Sequence, residues 1–426
     1  HRDLHSFPTR RSSDLLFSVA HRQIIQILPE RDPYLLPVIS LLTGWGLMTI
    51  WRLSLSFGLR QTLWLIVGVG VLLVGLRIPS LLPSLRKYKY LWLSGGLLLT
   101  GLTFFFGTYP NGIGPRLWLG CCGVYLQPSE PLKLLLIIYL AAYLADHFPF
   151  QSRLSQFLMP SLLVVGLALL LLVAQRDLGT ATLLILFYTA VVYIASNRVN
   201  ILWVSIAGVI AAGIAGYLAF DVVRLRMDAW LNPWLDPSGR SFQIVQSLMT
   251  IAAGGIFGRG PGLGSPGLVP VAQSDFIFAS TVEETGLVGA IGMILLFVLL
   301  ASRGILAAFR ASQPYQRYLA TGISVFLTGQ SVFIIGGNLR LLPLTGVTLP
   351  FVSYGGSSLL TAFLSILLLF KMGWQSDQEP APLPQPRPYL VVSGGIFTGL
   401  AAAALLTGWW TIWRAPALLD RADNPR

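Results

Sequence analysis

Charge is scarce in this chain. Of 426 residues only 11% are Asp, Glu, Lys or Arg, against 54% hydrophobic and a mean hydropathy of +0.70, a ratio on which no soluble domain is built. Cysteine is scarcer still. The two present, Cys121 and Cys122, are neighbours, which excludes a framework of loop-closing disulfides. There are four histidines, and no His or Cys falls at metal-ligand spacing, so a structural zinc site has nothing to build on. Short alternating strands are missing, which removes a β-barrel. Also missing is a basic stripe with interleaved aromatics, which removes nucleic acid as the partner of a +12 charge. The excess of Lys and Arg fits instead the loops of a membrane protein that face anionic lipids.

Long apolar runs are what the chain has in their place. A hydrocarbon core of roughly 30 Å asks for about 20 apolar residues. Candidate spans lie near residues 35–51, 61–77, 90–107, 131–146, 157–174, 178–196, 201–220, 284–308, 319–339, 350–373 and 389–413. The expected fold is therefore an all-α integral membrane bundle of about ten spans, over residues 16–373, with one extra span after it. With the N-terminus cytoplasmic, the loops after even-numbered spans hold Arg77, Arg86, Lys87, Lys89, Arg153, Arg198, Arg303, Arg310, Arg317 and Lys371, as the positive-inside rule requires. The longest break, 221–283, then falls outside; its alternating apolar and glycine-rich pieces read as helices packed on the bundle, not as a linker. Residues 1–15 are polar and basic, lack a signal-peptide core, resemble a translated sequencing adapter and are set aside as non-native. The proline-rich stretch 374–388 reads as a stiff linker.

Ionisable groups within or beside spans are costly and so are candidates for function. Glu130 and Lys133, in LQPSEPLK, are spaced to share a helix face, as a structural pair or as part of a site. Asp177, in QRDLGTA, opens a helix, where local grounds favour a simple N-cap over a functional role. Asp275, in AQSDFIF, is a lone carboxylate in semi-apolar surroundings, a setting that raises a pKa and suits a general base; a solvated loop aspartate is the alternative. Glu283 and Glu284 follow it. Ser353, Gly355, Gly356, Ser357 and Ser358 open the tenth run, where small residues and free N–H groups could cradle a phosphate beside Arg340 or could simply pack helices. The glycine run Gly258–Gly267 has no preceding strand and no P-loop lysine, so a nucleotide site there is not expected.

In order, NGIGPRLW, LQPSEPLK, QRDLGTA, NPWLDPSGRSFQIVQSL, SDFIFASTVEETGLVG and LPLTGVTLPFVSYGGSS resemble the motifs of the SEDS family (shape, elongation, division and sporulation) of FtsW/RodA/SpoVE-like peptidoglycan polymerases, from about Leu91 to Lys371. The resemblance implies a ten-span bundle in the bacterial cytoplasmic membrane that polymerises lipid II on its outer face. It also places the essential acid of the family's HTDF segment on Asp275, here in QSDF. Gln273 and Ser274 depart from the usual His and Thr, and Val271 from a usual glutamate. Arg116, Gln127, Glu130, Lys133 and Asp177 match motif positions, and Arg116, Lys133 and Arg340 are candidate cations for the leaving pyrophosphate. A bound Mg²⁺ or Mn²⁺ could share that work, although the sequence shows no dedicated cage.

The implied reaction moves a growing glycan from its polyprenyl pyrophosphate to the 4-hydroxyl of an incoming lipid II sugar, with inversion. A lipid II flippase and a non-catalytic scaffold are the other readings; neither needs one irreplaceable carboxylate. The family partner is a class B penicillin-binding protein transpeptidase. The apolar run 389–413 is long enough to cross, and the final residues LLDRADNPR of the stub 414–426 resemble the juxtamembrane start of such a transpeptidase, which suggests a fused gene; an ordinary tail lying on the membrane surface is the alternative.

Overall fold

The computed structural model describes residues 8–28, 31–109, 116–121, 124–147 and 154–374. Residues 375–426, which hold most of the expected proline-rich linker, the extra span and the terminal stub, lie outside the described residues, as do 1–7. Fourteen α-helices are described. The first five are α1 (Pro8–Ile27), α2 (Leu35–Leu53), α3 (Leu55–Leu76), α4 (Leu81–Lys87) and α5 (Lys89–Phe106). A short antiparallel hairpin, β1 (Leu119–Cys121) and β2 (Val124–Leu126), pairs Leu119 with Leu126. Then come α6 (Ser129–Asp146), α7 (Leu154–Ala174), α8 (Leu178–Ser196), α9 (Asn200–Ala219), α10 (Asp221–Leu231), α11 (Phe242–Gly254), α12 (Ile277–Arg310), α13 (Pro314–Asn338) and α14 (Gly356–Trp374).

The chain is an all-α membrane protein, and each of the ten apolar runs before residue 374 falls on a helix. Seven of these, α2, α3, α5, α8, α9, α12 and α13, are long and apolar enough to cross a membrane. Helix α6 falls short because it carries three charges, Glu130, Lys133 and Asp146; helices α7 and α14 are apolar over Leu158–Ala174 and Gly356–Met372 among the described residues. Two helices were not anticipated, the short α4 in the loop after the second span and α1. Helix α1 begins inside the segment 1–15 set aside as non-native, continues to Ile27, and buries Phe17, Ala20 and Ile24 against α2 and α3; these three recur at helical spacing among polar or exposed residues, so the helix offers no continuous apolar run.

Helices α6 and α13 form the centre. Both are buried over most of their length, and Gly322 lets them close: a Cβ there would stand 2.5 Å from Ile137, the close approach that small residues permit between membrane helices. At the other extreme α9 buries no residue at all. A helix apolar all round and packed only along one edge is what lipid, not water, accommodates.

Segment 221–283 folds onto one end of the bundle, hereafter the loop end. Helix α11 packs on α12 with Ile244, Val245, Leu248 and Ile251 buried. The glycine run then wraps the start of α12: Arg259 and Gly260 donate their N–H groups to the carbonyls of Glu283 and Glu284 at 2.9 and 3.0 Å. Gly258, Gly260 and Gly262 take φ of +81°, +95° and +84°, conformations that side chains resist. The two glutamates close the clasp. Glu283 accepts from Ser265 N at 3.0 Å and faces Arg259 at 3.5 Å, while Glu284 pairs with Arg52 at the end of α2. Among the candidates from the sequence, these two acids hold backbone in place.

Candidate active site

Four helix termini meet at the loop end: the N-termini of α6, α8 and α14 and the C-terminus of α13. Asp177 caps α8, accepting from Thr180 N at 3.1 Å. Its other oxygen accepts from Ser129 Oγ at 3.0 Å and lies 3.4 Å from Gln127 Nε2. The cap expected from the sequence is present, and the same carboxylate draws Gln127 and the start of α6 against α8.

One turn further into α6, Lys133 donates to Glu130 Oε1 at 2.8 Å and lies 5.1 Å from the Phe326 ring centroid on α13. Lys133 is fully buried and Glu130 nearly so, and Glu130 Oε2 has no hydrogen-bond partner. The pair thus sits at the bundle's centre with acceptor capacity to spare, where each charge makes the other tolerable.

Asp275 lies in the irregular turn before α12. The residue is half-buried, yet desolvation of its carboxyl by the surrounding protein pushes its pKa above the ordinary carboxylate range, against a hydrogen bond from Ser274 and the charge of Arg226, both of which pull it down. Arg226, on α10, donates to Thr345 O at 3.2 Å. Burial weakens its hold on its proton, and the negative charges of Asp275 and Asp177 oppose that loss; a guanidinium stays charged under such conditions. One half-buried cation therefore feels the charge of both motif carboxylates. Arg226 is not among the candidates that the sequence singles out. The signal available was its place in VVRLRMDAW, an amphipathic stretch directly after a wholly apolar span.

The remaining candidates are placed differently. Arg116 is exposed, with Nε donating to the Tyr109 hydroxyl at 3.0 Å and its guanidinium 5.3 Å from that ring's centroid. Arg340, at φ +57°, donates to the carbonyls of Trp230 and Leu231 at 2.8 and 2.7 Å, and Trp230 Nε1 returns a bond to its carbonyl. Its guanidinium thus caps the C-terminus of α10. Ser353 donates to Ser274 O at 2.6 Å and accepts from Leu349 N. Gly355 N donates to Gln61 Oε1 at 3.2 Å, Gly356 packs on Trp64, and Ser357 is buried. A phosphate cradle at the start of α14 would have to use N–H groups other than that of Gly355. Among the described residues no three His, Cys, Asp or Glu side chains gather to cage a metal ion.

Similar proteins share this architecture. Peptidoglycan glycosyltransferase RodA of Mycobacterium tuberculosis is 33% identical over 401 residues, 89% of this chain and 86% of its own. Stage V sporulation protein E of Bacillus subtilis is 32% identical over 357 residues, 79% and 94% of the two chains. Among solved structures, a chain from a peptidoglycan synthase complex, studied for its coordination of polymerization and crosslinking, superposes with a TM-score of 0.71 at 25% identity, over 82% of this chain and 99% of that one. The rod shape determining protein RodA of Thermus thermophilus, at 24% identity and a TM-score of 0.61 over 82% and 98%, has the same fold. The profile of the cell cycle proteins FtsW, RodA and SpoVE matches residues 35–378, and the chain belongs to that family.

Proposed function

We propose that this chain is a peptidoglycan glycosyltransferase that polymerises lipid II, with Asp275 as the general base. The single observation that carries the reading is the loop-end carboxylate of Asp275, desolvated, raised in pKa and faced by Arg226. Glycosyl transfer from a polyprenyl pyrophosphate needs a base at the acceptor hydroxyl and fixed positive charge near the departing pyrophosphate. A carboxylate poised above its ordinary range accepts a proton more readily than a solvated one. Arg226, whose charge acts on Asp275, is the first candidate for the cationic role; Lys133 is buried one turn into α6 and Arg116 is exposed. A divalent cation, Mg²⁺ or Mn²⁺, would be brought in on the substrate's own phosphates and completed by one or two carboxylates, the usual manner of Mg²⁺.

The loop end then faces the outside of the bacterial cytoplasmic membrane, and the basic end, with Arg86, Lys89, Arg303 and Arg317, faces the cytoplasm. A class B transpeptidase, separate or fused, is the partner this activity calls for, since uncrosslinked glycan has no strength; the complex that holds one of the structural relatives supports it. The test is polymerisation of lipid II by the purified full chain beside an assay of lipid flipping. Glycan chains made without flipping support the proposal. Flipping without polymerisation would replace it by the transporter reading.

A further inference from the structure

Three consecutive carbonyls in the turn that carries Asp275 each accept a hydrogen bond from a separate donor. Tyr354 N binds Gln273 O at 2.8 Å, Ser353 Oγ binds Ser274 O at 2.6 Å, and Asn338 Nδ2 binds Asp275 O at 2.8 Å. The donors come from the C-terminus of α13 and the segment before α14, elements 63 and 79 residues away for the two side chains. Carbonyls of an irregular turn have no ladder of their own to pair with, so their partners must come from elsewhere, and here all three come from other elements of the fold.

The two donor side chains are themselves immobilised. Asn338 is fully buried; Nδ2 also reaches Ile334 O at 2.9 Å, and Oδ1 accepts from Ala279 N at 3.2 Å in the first turn of α12. It therefore grips the chain on both sides of the point where the turn becomes helix. Ser353 gives its only hydroxyl hydrogen to Ser274 O and accepts from Leu349 N at 2.9 Å. Its own carbonyl takes Gln61 Nε2 from α3 at 3.1 Å. Such a fully satisfied buried network rigidifies what it holds. The need for rigidity is visible in the surroundings. A carboxylate free to swing would close onto Arg226, and a carboxylate in a tight ion pair is a weaker base.

We infer that Asn338 and Ser353 are positioning residues, which fix the backbone of Asp275 so that its carboxyl stands near Arg226 and the acceptor without collapsing onto the guanidinium. The inference rests on the assignment of Asp275 as base. The charged group that acts on this carboxyl is Arg226 of α10, and Asp177 at the start of α8 acts in turn on that arginine; Arg340 is turned to the α10 carbonyls.

The experiment uses the purified full chain with lipid II, measuring kcat, KM, pH profile and thermal unfolding. Ser353→Ala and Asn338→Ala should each lower kcat about 10- to 100-fold, the scale of a small misplacement of a reacting group, with KM nearly unchanged. The acid limb of kcat/KM should move to lower pH, because both hydration and contact with Arg226 favour the ionised carboxylate. Ser353→Thr, which keeps the hydroxyl, should restore most of the rate. Either alanine change added to Asp275→Asn should cost nothing more. If Asn338→Ala fails to fold, the serine pair carries the test. Wild-type kcat and pH profile in Ser353→Ala, or a loss that threonine does not restore, overturns the positioning role while leaving the base assignment intact. Full polymerisation by Asp275→Asn overturns the base assignment itself, whatever the other variants do.

Discussion

Asp146 and Asp275 are the same residue type at opposite ends of one bundle, and their surroundings could hardly differ more. Asp146, at the last turn of α6, is met by two cations: Arg86 at 2.7 Å and Lys89, with Arg86 also lying 5.7 Å from the Tyr315 ring centroid. Asp32 at the same end is met by Arg303 at 2.6 Å. Asp275 is surrounded by hydrogen bonds too, but these go to its backbone and its neighbours' backbone, while the carboxyl keeps a desolvation cost that Ser274 and Arg226 only partly offset. One end balances its charges, and the other stabilises the chain around a charge left unbalanced. Strongly perturbed acids in such settings are where chemistry is found.

The largest effect expected from this contrast is on Asp275→Asn. Polymerisation should fall by about 10²- to 10⁴-fold, the usual worth of a general base. Stability should move the other way. Since burial raises the folded carboxylate above its unfolded pKa, the ionised group weighs against folding at neutral pH, and the weight lifts as pH falls through the folded value. Asparagine carries no such weight, so thermal unfolding at neutral pH should hold or rise. A variant that loses activity because it melts early would show that the acid is structural.

Next in size is the buried pair of α6. Removing Glu130 or Lys133 alone strands a charge at the bundle's centre, at a cost of about 3–5 kcal/mol. Replacing both with apolar residues of similar volume should destabilise less than either single change. Chemical denaturation of the two singles and the double decides it: costs that simply add would mean that the 2.8 Å contact contributes no coupling. Here the comparison is sharpened, because this pair is balanced like Asp146 yet more deeply buried than Asp275.

A third, smaller effect tests the imbalance directly. Arg226 pulls the Asp275 pKa down, against burial, so Arg226→Gln should let it climb and move the acid limb of the rate profile to higher pH. Arg226→Lys keeps the charge and should leave the limb close to wild type while weakening any bidentate grip on phosphate. A limb that does not move in Arg226→Gln would detach this arginine from the carboxylate.

Much of this arrangement could be read from local sequence, and the rest could not, for physical reasons. Apolar runs long enough to cross lipid fall on helices because in hydrocarbon the backbone has few other ways to satisfy its polar groups. The cap by Asp177 and the pairing of Glu130 with Lys133 act over three residues, so spacing alone reveals them. Helix α1 escaped notice because its buried residues, Phe17, Ala20 and Ile24, are separated by polar or exposed ones and make no apolar run. The grip on Asp275 escaped because its donors are distant: Asn338 reads as an ordinary helix end and Gln61 as a stray polar residue in an apolar span. Ser353 was legible as special, in a cluster of small residues, but its hydroxyl turns to the backbone of Ser274, a partner no local pattern names.

The smallest effect is expected at the balanced end, and it is the control on which the contrast depends. Asp146 and Arg86 are about a third or more exposed at the side chain, where water already screens charge, so Asp146→Asn should cost only about 0.2–1 kcal/mol. Most of that should vanish at high salt, because the Debye length shrinks to about 3 Å at 1 M. The orientation of the bundle should not change either: removing an acid leaves Arg86 and Lys89 in place, and these positive charges, not the net charge, set topology. Thermal unfolding at low and high salt, read beside polymerisation of lipid II, gives the answer. Loss of polymerisation in Asp146→Asn on the scale expected for Asp275→Asn would mean that a compensated acid far from the loop end is as necessary as an uncompensated one within it. The difference in surroundings would then no longer identify the reacting group.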